Sequence, residues 1–178
     1  MNFAFSKLVA AKMDLTELAK TETRLYSVVT SLEGSLKEKE EELEKRGIFK
    51  EYCQIHQEYA KLQVQSLEAL KRGVFITWYA SVESPGLTGI RELDADAEKA
   101  IIQSLDQLLK QNRADYELQW MLSHYAAWEH PFDRFNQYPH LQRKLKSEPV
   151  AIPASIDSRD MSTRGQMGIY WNFNSFFS

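Results

Sequence analysis

Apolar residues recur at alternating steps of three and four along the first part of the chain, which is the spacing of an amphipathic helix. The stripe starts at Leu15 and reaches Leu43, and Asp14 precedes it with a side chain suited to capping a helix. Polar side chains, among them Glu22 and Lys39, interrupt the stripe and argue against an extended coiled coil. The pattern therefore predicts one long helix that buries its stripe against a neighbour.

A stop signal for this helix lies at Gly47. Lys45 and Arg46 place positive charge in the last turn, where it complements the helix dipole, and glycine readily adopts the left-handed conformation that ends a helix. We expect a tight turn here and an antiparallel helical hairpin. The alternative is a helix that continues through Gly47, at a cost of about 1 kcal/mol relative to alanine.

A second helical pattern runs from Phe49 to Val82, again with apolar residues at helical spacing. Beside it lies a stripe of small residues that would let a neighbouring helix approach closely: Ser66, Ala69, Gly73, Thr77 and Ala80. Two alternatives stay open. One is a second helix cap at Gly73, and the other is a strand over 74–79, where β-branched and aromatic residues are dense.

Shorter elements are predicted after this segment. A proline and two glycines make 84–89 a loop, because they break both the helical and the strand periodicity. A helix begins near Asp94, where negative charge suits a helix start, and it breaks at residues 112–113. We expect this helix to bury one apolar face.

The last third of the chain predicts two more helical segments and a tail. The segment from Asp115 to Glu129 is apolar on more than one face, which is typical of a central helix, and Pro131 ends it. A short helical stretch follows and is broken by Pro139. Beyond Ser147 the apolar content falls, but residues 167–177 are aromatic again, which favours docking onto the bundle.

These elements together predict an all-α fold. We expect an antiparallel helical bundle of about four to five helices with a long helical hairpin and a partly irregular C-terminal tail. The bundle domain is placed at residues 1–146, and the tail, irregular or docked on the bundle, at residues 147–178.

The composition argues against several classes of function. The chain of 178 residues carries 22 basic and 25 acidic side chains, a formal charge of −3, so no net positive field attracts nucleic acid or an anionic membrane. A single cysteine, Cys53, cannot form an intrachain disulfide and fits a reducing compartment. No stretch has the apolar length of a membrane span. We expect a cytoplasmic protein that binds neither nucleic acid nor a membrane.

Catalytic signatures are missing from the sequence, which has no glycine-rich phosphate loop, nucleophile elbow or zinc-binding helix motif. A catalytic pair of Cys53 and His56 would need an exposed cleft and a lowered thiol pKa, so a buried structural cysteine is the favoured interpretation. No cofactor is expected, and an enzyme is the less favoured class.

The densest polar cluster, from His124 to Asp133, offers an alternative function as a metal or enzymatic site. Its groups suit zinc or iron, and they are His124, Glu129, His130 and Asp133, with His140 nearby. The spacing matches no standard ligand pattern, and no second helix offers a Glu-x-x-His partner. Solvent-facing side chains at a helix end are therefore favoured over a metal site.

Two charged segments of the sequence give little indication of function. Residues 37–46 alternate in charge, which is typical of a solvated helix end stabilised by weak ion pairs. The basic group of Arg143, Lys144 and Lys146 is too small for a nucleic-acid footprint, where several phosphate contacts are usual. Weak nucleic-acid binding is accordingly the third hypothesis for function.

Aromatic side chains carry the most specific functional hypothesis. Most of them are expected in the core: Phe75, Trp78, Tyr79, Trp120, Tyr125 and Trp128. If the loop after residue 83 and the turn after residue 128 share one end of the bundle, charged side chains would surround an aromatic floor. The predicted partner-binding residues are then Glu83, Arg91, Glu92, Trp128, Glu129 and Asp133.

The favoured function is a non-enzymatic protein–protein interaction module that binds a protein partner or a second copy of itself. A small bacterial immunity or antitoxin-like protein, which covers the active surface of a toxin, is one form of this hypothesis.

Overall fold

The structure, a computed structural model, describes residues 14–128, 132–152 and 161–175, and these ranges are helical with no β-strand among them. The predicted all-α class is confirmed. The α-helices are α1 Leu15–Ser31, α2 Leu36–Lys45, α3 Ile48–Leu62, α4 Leu67–Val82, α5 Pro85–Thr88, α6 Ala95–Lys110, α7 Tyr116–Ala126, α8 Pro139–Leu145 and α9 Gly165–Ser175. Short 3₁₀ turns lie at Asp133–Phe135 and Ser162–Arg164.

The first predicted long helix is two helices, so this part of the prediction is wrong. Asp14 caps α1 as expected, accepting hydrogen bonds from two backbone amides of the first turn. The chain then leaves the helix at Leu32, and Gly34 adopts a φ of 106°. Ser35 starts α2 with a capping box in which it and Glu38 satisfy each other's backbone amides. The local caps outweigh the continuous apolar stripe.

The turn predicted at Gly47 is confirmed. Gly47 has a φ of 72°, in the left-handed region, and connects α2 to α3. Leu43 and Ile48 on either side of the turn are both buried. Helices α2 and α3 contact each other across this turn.

The second predicted long helix is also split, into α3 and α4, with a break at residues 63–66 where Ser66 caps the new helix. The two halves form the most extensive helix pair in the described chain. No strand forms over 74–79, and α4 runs straight through Gly73. A Cβ built at Gly73 would lie 2.7 Å from the Ile101 side chain of α6, so the close approach predicted from the small residues is confirmed.

The segment 84–89 is not a plain loop. Pro85 occupies the first turn of the four-residue helix α5, where its missing amide is harmless, and Ser84 caps it. Asp94 caps α6, as the sequence predicts, and the helix ends before Asn112, the only non-glycine residue of positive φ among those described.

The last elements close the bundle. Helix α7 begins after Asp115, whose side chain accepts from the Leu118 amide, and it buries residues on more than one face, as predicted. Pro139 does not break a helix but starts α8. The position of Pro131 lies outside the described residues.

The C-terminal helix α9 packs chiefly against α1, and its Met167 and Trp171 are buried. Residues 147–152 before it have no regular structure. The division into a domain of 1–146 and a tail of 147–178 stays a prediction. No helix in the described ranges combines the length and apolarity needed to cross a bilayer.

Candidate functional site

A network of nearly buried charges lies where the C-terminal segment meets the bundle. Its cations are Lys71 and Arg72 of α4 and Arg164 of the second 3₁₀ turn, whose side chains are 5%, 6% and 8% exposed. Arg164 donates to Glu68 at 2.6 Å and to Glu117 at 2.5 Å. Each cation is thus held by at least one carboxylate, as buried charges require.

The Glu117 carboxylate is the shared acceptor of this network. Burial alone would raise its pKa, but hydrogen bonds from Arg164 and Lys71 lower the pKa to about 2. Lys71 also donates to Asp115 at 2.6 Å, so α4 and the start of α7 are joined by charge. The network ties together three parts of the chain that are far apart in sequence.

Glu22 of α1 is a second buried carboxyl in the same region and is 1% exposed. Its Oε1 accepts from the Tyr59 hydroxyl, and its Oε2 accepts from the Gln166 amide at 3.0 Å. Burial raises the pKa of Glu22 to about 7, in spite of these two hydrogen bonds. A pKa near neutrality suits a general acid or base, but a carboxyl with this exposure has no access to substrate. We interpret Glu22 as a structural acceptor that holds the start of α9.

The predicted aromatic cluster forms a layer between α4, α7 and α9. Trp78 and Tyr125 stack with ring centroids 4.4 Å apart, and both are fully buried. Trp171 of α9 adds a third ring, 6.0 Å from Tyr125. Core packing is therefore the role of most of these rings, as the sequence favours, and Trp128 is the member that reaches the surface.

The alternative metal cluster is not assembled by the described residues. The His124 Nε2 pairs with the Tyr170 hydroxyl at 2.7 Å, and burial lowers the pKa of this histidine. His140 pairs with Asp106 instead, and Glu129 and His130 lie outside the described residues. Within the described ranges, no group of three or more histidine, cysteine or acidic side chains is placed to hold a metal ion.

Cys53 and His56 do not form a catalytic pair. The His56 Nε2 lies 2.9 Å from the Thr77 hydroxyl, and burial lowers the pKa of His56 to about 4. Burial also raises the pKa of the Cys53 thiol, which disfavours the nucleophilic thiolate. Cys53 is partly rather than fully buried.

The six predicted partner-binding residues are spread over several contacts. Arg91 turns toward α2, where it donates to Glu44 at 2.6 Å and its guanidinium lies 4.0 Å from the centre of the Phe49 ring. Glu83 bonds the amide of Ser84 at the end of α4. Glu92 is exposed, and Glu129 lies outside the described residues.

Trp128 and Asp133 do come together. They line a pocket of about 170 Å³ beyond the end of α7. Trp128 is 42% exposed, and its ring meets the buried Trp78 edge-on with centroids 5.7 Å apart. The buried Phe132 and the half-buried Leu145 form apolar walls.

Lys146 adds a second charge to this pocket, opposite in sign to Asp133. Sequence reasoning did not assign Phe132, Leu145 or Lys146 to the surface around Trp128. The signal that was available is the short spacing between Trp128 and Phe132, but the return of α8 to the same place depends on tertiary packing.

Comparison with protein-family models, with curated proteins and with solved structures gives no significant match to this chain. Its function is therefore argued from its own geometry.

Proposed function

We propose that this protein is a non-enzymatic module that binds another protein chain through the surface around Trp128. The observation that carries the proposal is an exposed tryptophan fixed by the core beside a small pocket with charges of both signs. Tryptophan is enriched among the residues that dominate binding energy at protein interfaces, and such anchors pair with pockets on the partner.

The size of the pocket favours a protein over a small-molecule ligand. A volume of about 170 Å³ has room for one side chain, whereas pockets for small ligands usually measure about 300–1,000 Å³. Asp133 and Lys146 at its edge would orient the partner rather than supply most of the affinity. A partner that inserts one apolar side chain between Trp128 and Phe132 fits this arrangement.

The test compares truncations of two exposed aromatic side chains, one at the start of α7 and one just beyond its end. Trp128→Ala removes the proposed anchor, and Tyr116→Ala removes an aromatic side chain that is 53% exposed at the opposite end of α7. Self-association is measured by light scattering, and partners are recovered with a photo-crosslinker placed at residue 133. Both variants must keep the unfolding midpoint of the natural sequence.

Loss of the dimer or of the crosslinked partner with Trp128→Ala, and its retention with Tyr116→Ala, is the expected result. A strictly monomeric protein that crosslinks to nothing, or equal binding by both variants, contradicts the proposal.

A further inference from the structure

A second pocket, of about 330 Å³, lies between the end of α6, the turn into α7 and α8. It is about twice the volume of the pocket beside Trp128 and falls in the range of small-molecule sites. Leu109 and Ala114 give it an apolar wall, and neutral polar groups come from Asn112, Gln119 and Ser147. The pocket is therefore large enough for a small organic ligand.

The ionisable side chains that line this pocket are all basic. They are His140, Arg143 and Lys144, which follow the helical steps of three and four and share one face of α8. No carboxylate is among the lining residues. An excess of positive charge around a concave site favours an anionic ligand.

The side chains of Arg143 and Lys144 have no ion-pair or hydrogen-bond partner in the described chain, and burial lowers the pKa of the Lys144 ammonium. Most other arginines in the same ranges have carboxylate partners, as Arg91 has in Glu44 and Arg134 has in Glu98, and Arg113 bonds only the Gln111 side chain. Arg143 and Lys144 are therefore adjacent cations over one pocket whose charge no carboxylate of the described chain neutralises.

Asp106 of α6 fixes the third basic group. One oxygen of this carboxylate accepts from the backbone amides of His140 and Leu141, each at 2.8 Å, and the other lies 3.1 Å from His140 Nδ1. Since a carboxylate accepts, Nδ1 carries the proton. The remaining ring nitrogen of the neutral side chain, Nε2, is then an acceptor for a ligand hydroxyl, and the acidic charge of Asp106 is already used by the first turn of α8.

We propose that this pocket binds a small phosphomonoester, with its phosphate held by Arg143 and Lys144, one of its hydroxyls donating to His140 Nε2, and its organic part against Leu109 and Ala114. A planar guanidinium beside an ammonium matches the geometry and the double charge of a phosphate better than the single charge of a carboxylate. The site is separate from the surface around Trp128, so the proposal does not depend on the protein-binding function.

The test is calorimetric titration at constant ionic strength with three probes: inorganic phosphate, ribose 5-phosphate and butyrate. We expect saturable binding of ribose 5-phosphate at one site per chain, weaker binding of inorganic phosphate, and at least a tenfold weaker response to butyrate. Binding of butyrate as tight as that of ribose 5-phosphate overturns the choice of phosphate, and absence of saturation with every probe up to about 10 mM overturns the site.

A pair of double variants separates the pocket from the net charge. Arg143→Ala with Lys144→Ala removes two cations from the pocket, and Lys37→Ala with Lys45→Ala removes two cations from exposed positions on α2. Loss of two charge-assisted hydrogen bonds should weaken ribose 5-phosphate binding at least tenfold in the first variant and leave it unchanged in the second. Equal weakening in both shows general charge attraction and contradicts the proposal. Unfolding midpoints confirm that both variants fold.

Discussion

The basic side chains of this protein behave in two contrasting ways. Where α4 meets the C-terminal segment, Lys71, Arg72 and Arg164 are almost fully buried and held by carboxylates. On α8, Arg143 and Lys144 line an open pocket and have no such partner in the described chain. The first group satisfies its charges within the fold, while the second leaves them available to a ligand.

This contrast separates charges that stabilise the fold from charges that could bind a ligand. A buried cation with carboxylate partners costs desolvation and is retained because its removal strands the opposite charge. A partly exposed cation without a partner contributes little to folding, so its placement over a pocket calls for a different explanation.

Removal of the Arg164 guanidinium should have the largest effect on stability. Arg164→Ala leaves Glu68 without its bidentate partner and Glu117 without one of its two cations, at an expected cost of about 3 kcal/mol in the free energy of unfolding. Chemical denaturation followed by circular dichroism measures the change. Arg24→Ala, which removes a surface partner of Glu51, is the control and should cost less than about 1 kcal/mol. Similar costs for the two variants would remove the distinction between buried and exposed pairs.

The pH dependence of stability should reveal Glu22. A carboxyl whose pKa rises from 4.5 to about 7 on folding binds its proton more tightly in the folded state, so its contribution is greatest below pH 4.5 and is lost as pH rises through 7. His56, with a pKa lowered to about 4, acts in the opposite direction over part of this range. The difference between the natural sequence and Glu22→Gln isolates Glu22.

This difference in the free energy of unfolding should fall by about 3 kcal/mol between pH 4.5 and pH 7.5. Glu33→Gln, at an exposed position, is the control and should give a flat difference over the same range. A flat profile for Glu22→Gln as well would show that Glu22 keeps an ordinary pKa in the folded protein.

The Glu22 carboxyl lies in a tightly packed contact between α1 and α9, whereas the pocket on α8 is open. Gly165 has a φ of 65°, and a Cβ there would lie 2.6 Å from the Glu22 carboxyl. Gly47→Ala is the control for a positive φ, since Gly47 has a φ of 72° with a ψ of 16° and nothing within 4 Å of a built Cβ, whereas Gly165 has a ψ of −150°, which residues with a Cβ avoid. We expect Gly47→Ala to cost about 1 kcal/mol for backbone strain and Gly165→Ala to cost about 2 kcal/mol or more. Thermal unfolding compares them, and equal costs would mean that neither the contact with Glu22 nor the ψ of Gly165 adds a penalty.

The smallest effect is expected from the pocket cations. Arg143→Ala with Lys144→Ala should change the free energy of unfolding by less than about 0.5 kcal/mol, because no partner is stranded by their removal. If chemical denaturation shows that the free energy of unfolding falls by more than about 1 kcal/mol, Arg143 and Lys144 are structural charges and do not differ from the buried group.

Local signals in the sequence predicted much of the helical framework. Asp14 and Asp94 cap the helices that follow them, Gly47 makes the expected turn, and Gly73 permits the expected close approach. The capping box of Ser35 and Glu38 is equally visible in the sequence, but the continuous stripe from Leu15 to Leu43 predicts a single helix. Apolar periodicity survives a short break between helices, so it cannot by itself show that a helix is unbroken.

The candidate sites were less accessible to sequence reasoning. The sequence identified Trp128 and Asp133 as members of one surface, and the structure places both on one pocket. Arg91 does not belong to this surface, because its guanidinium contacts Glu44 and the Phe49 ring instead. Arg143 and Lys144 were recognised as a basic group, but their pocket is completed by α6 and by the turn into α7, which adjacency along the chain does not show.

The helical class, the caps and the turn at Gly47 follow from the sequence, because each depends on residues within a few positions of one another. The burial and the partners of the charged side chains follow only from the tertiary structure. In the sequence, Glu22 is only a polar interruption of an apolar stripe. In the structure, its carboxylate accepts a hydrogen bond from the backbone amide of Gln166, 144 positions away. A side chain's charge is written in the sequence, but burial and partners are set by which distant segments pack against it.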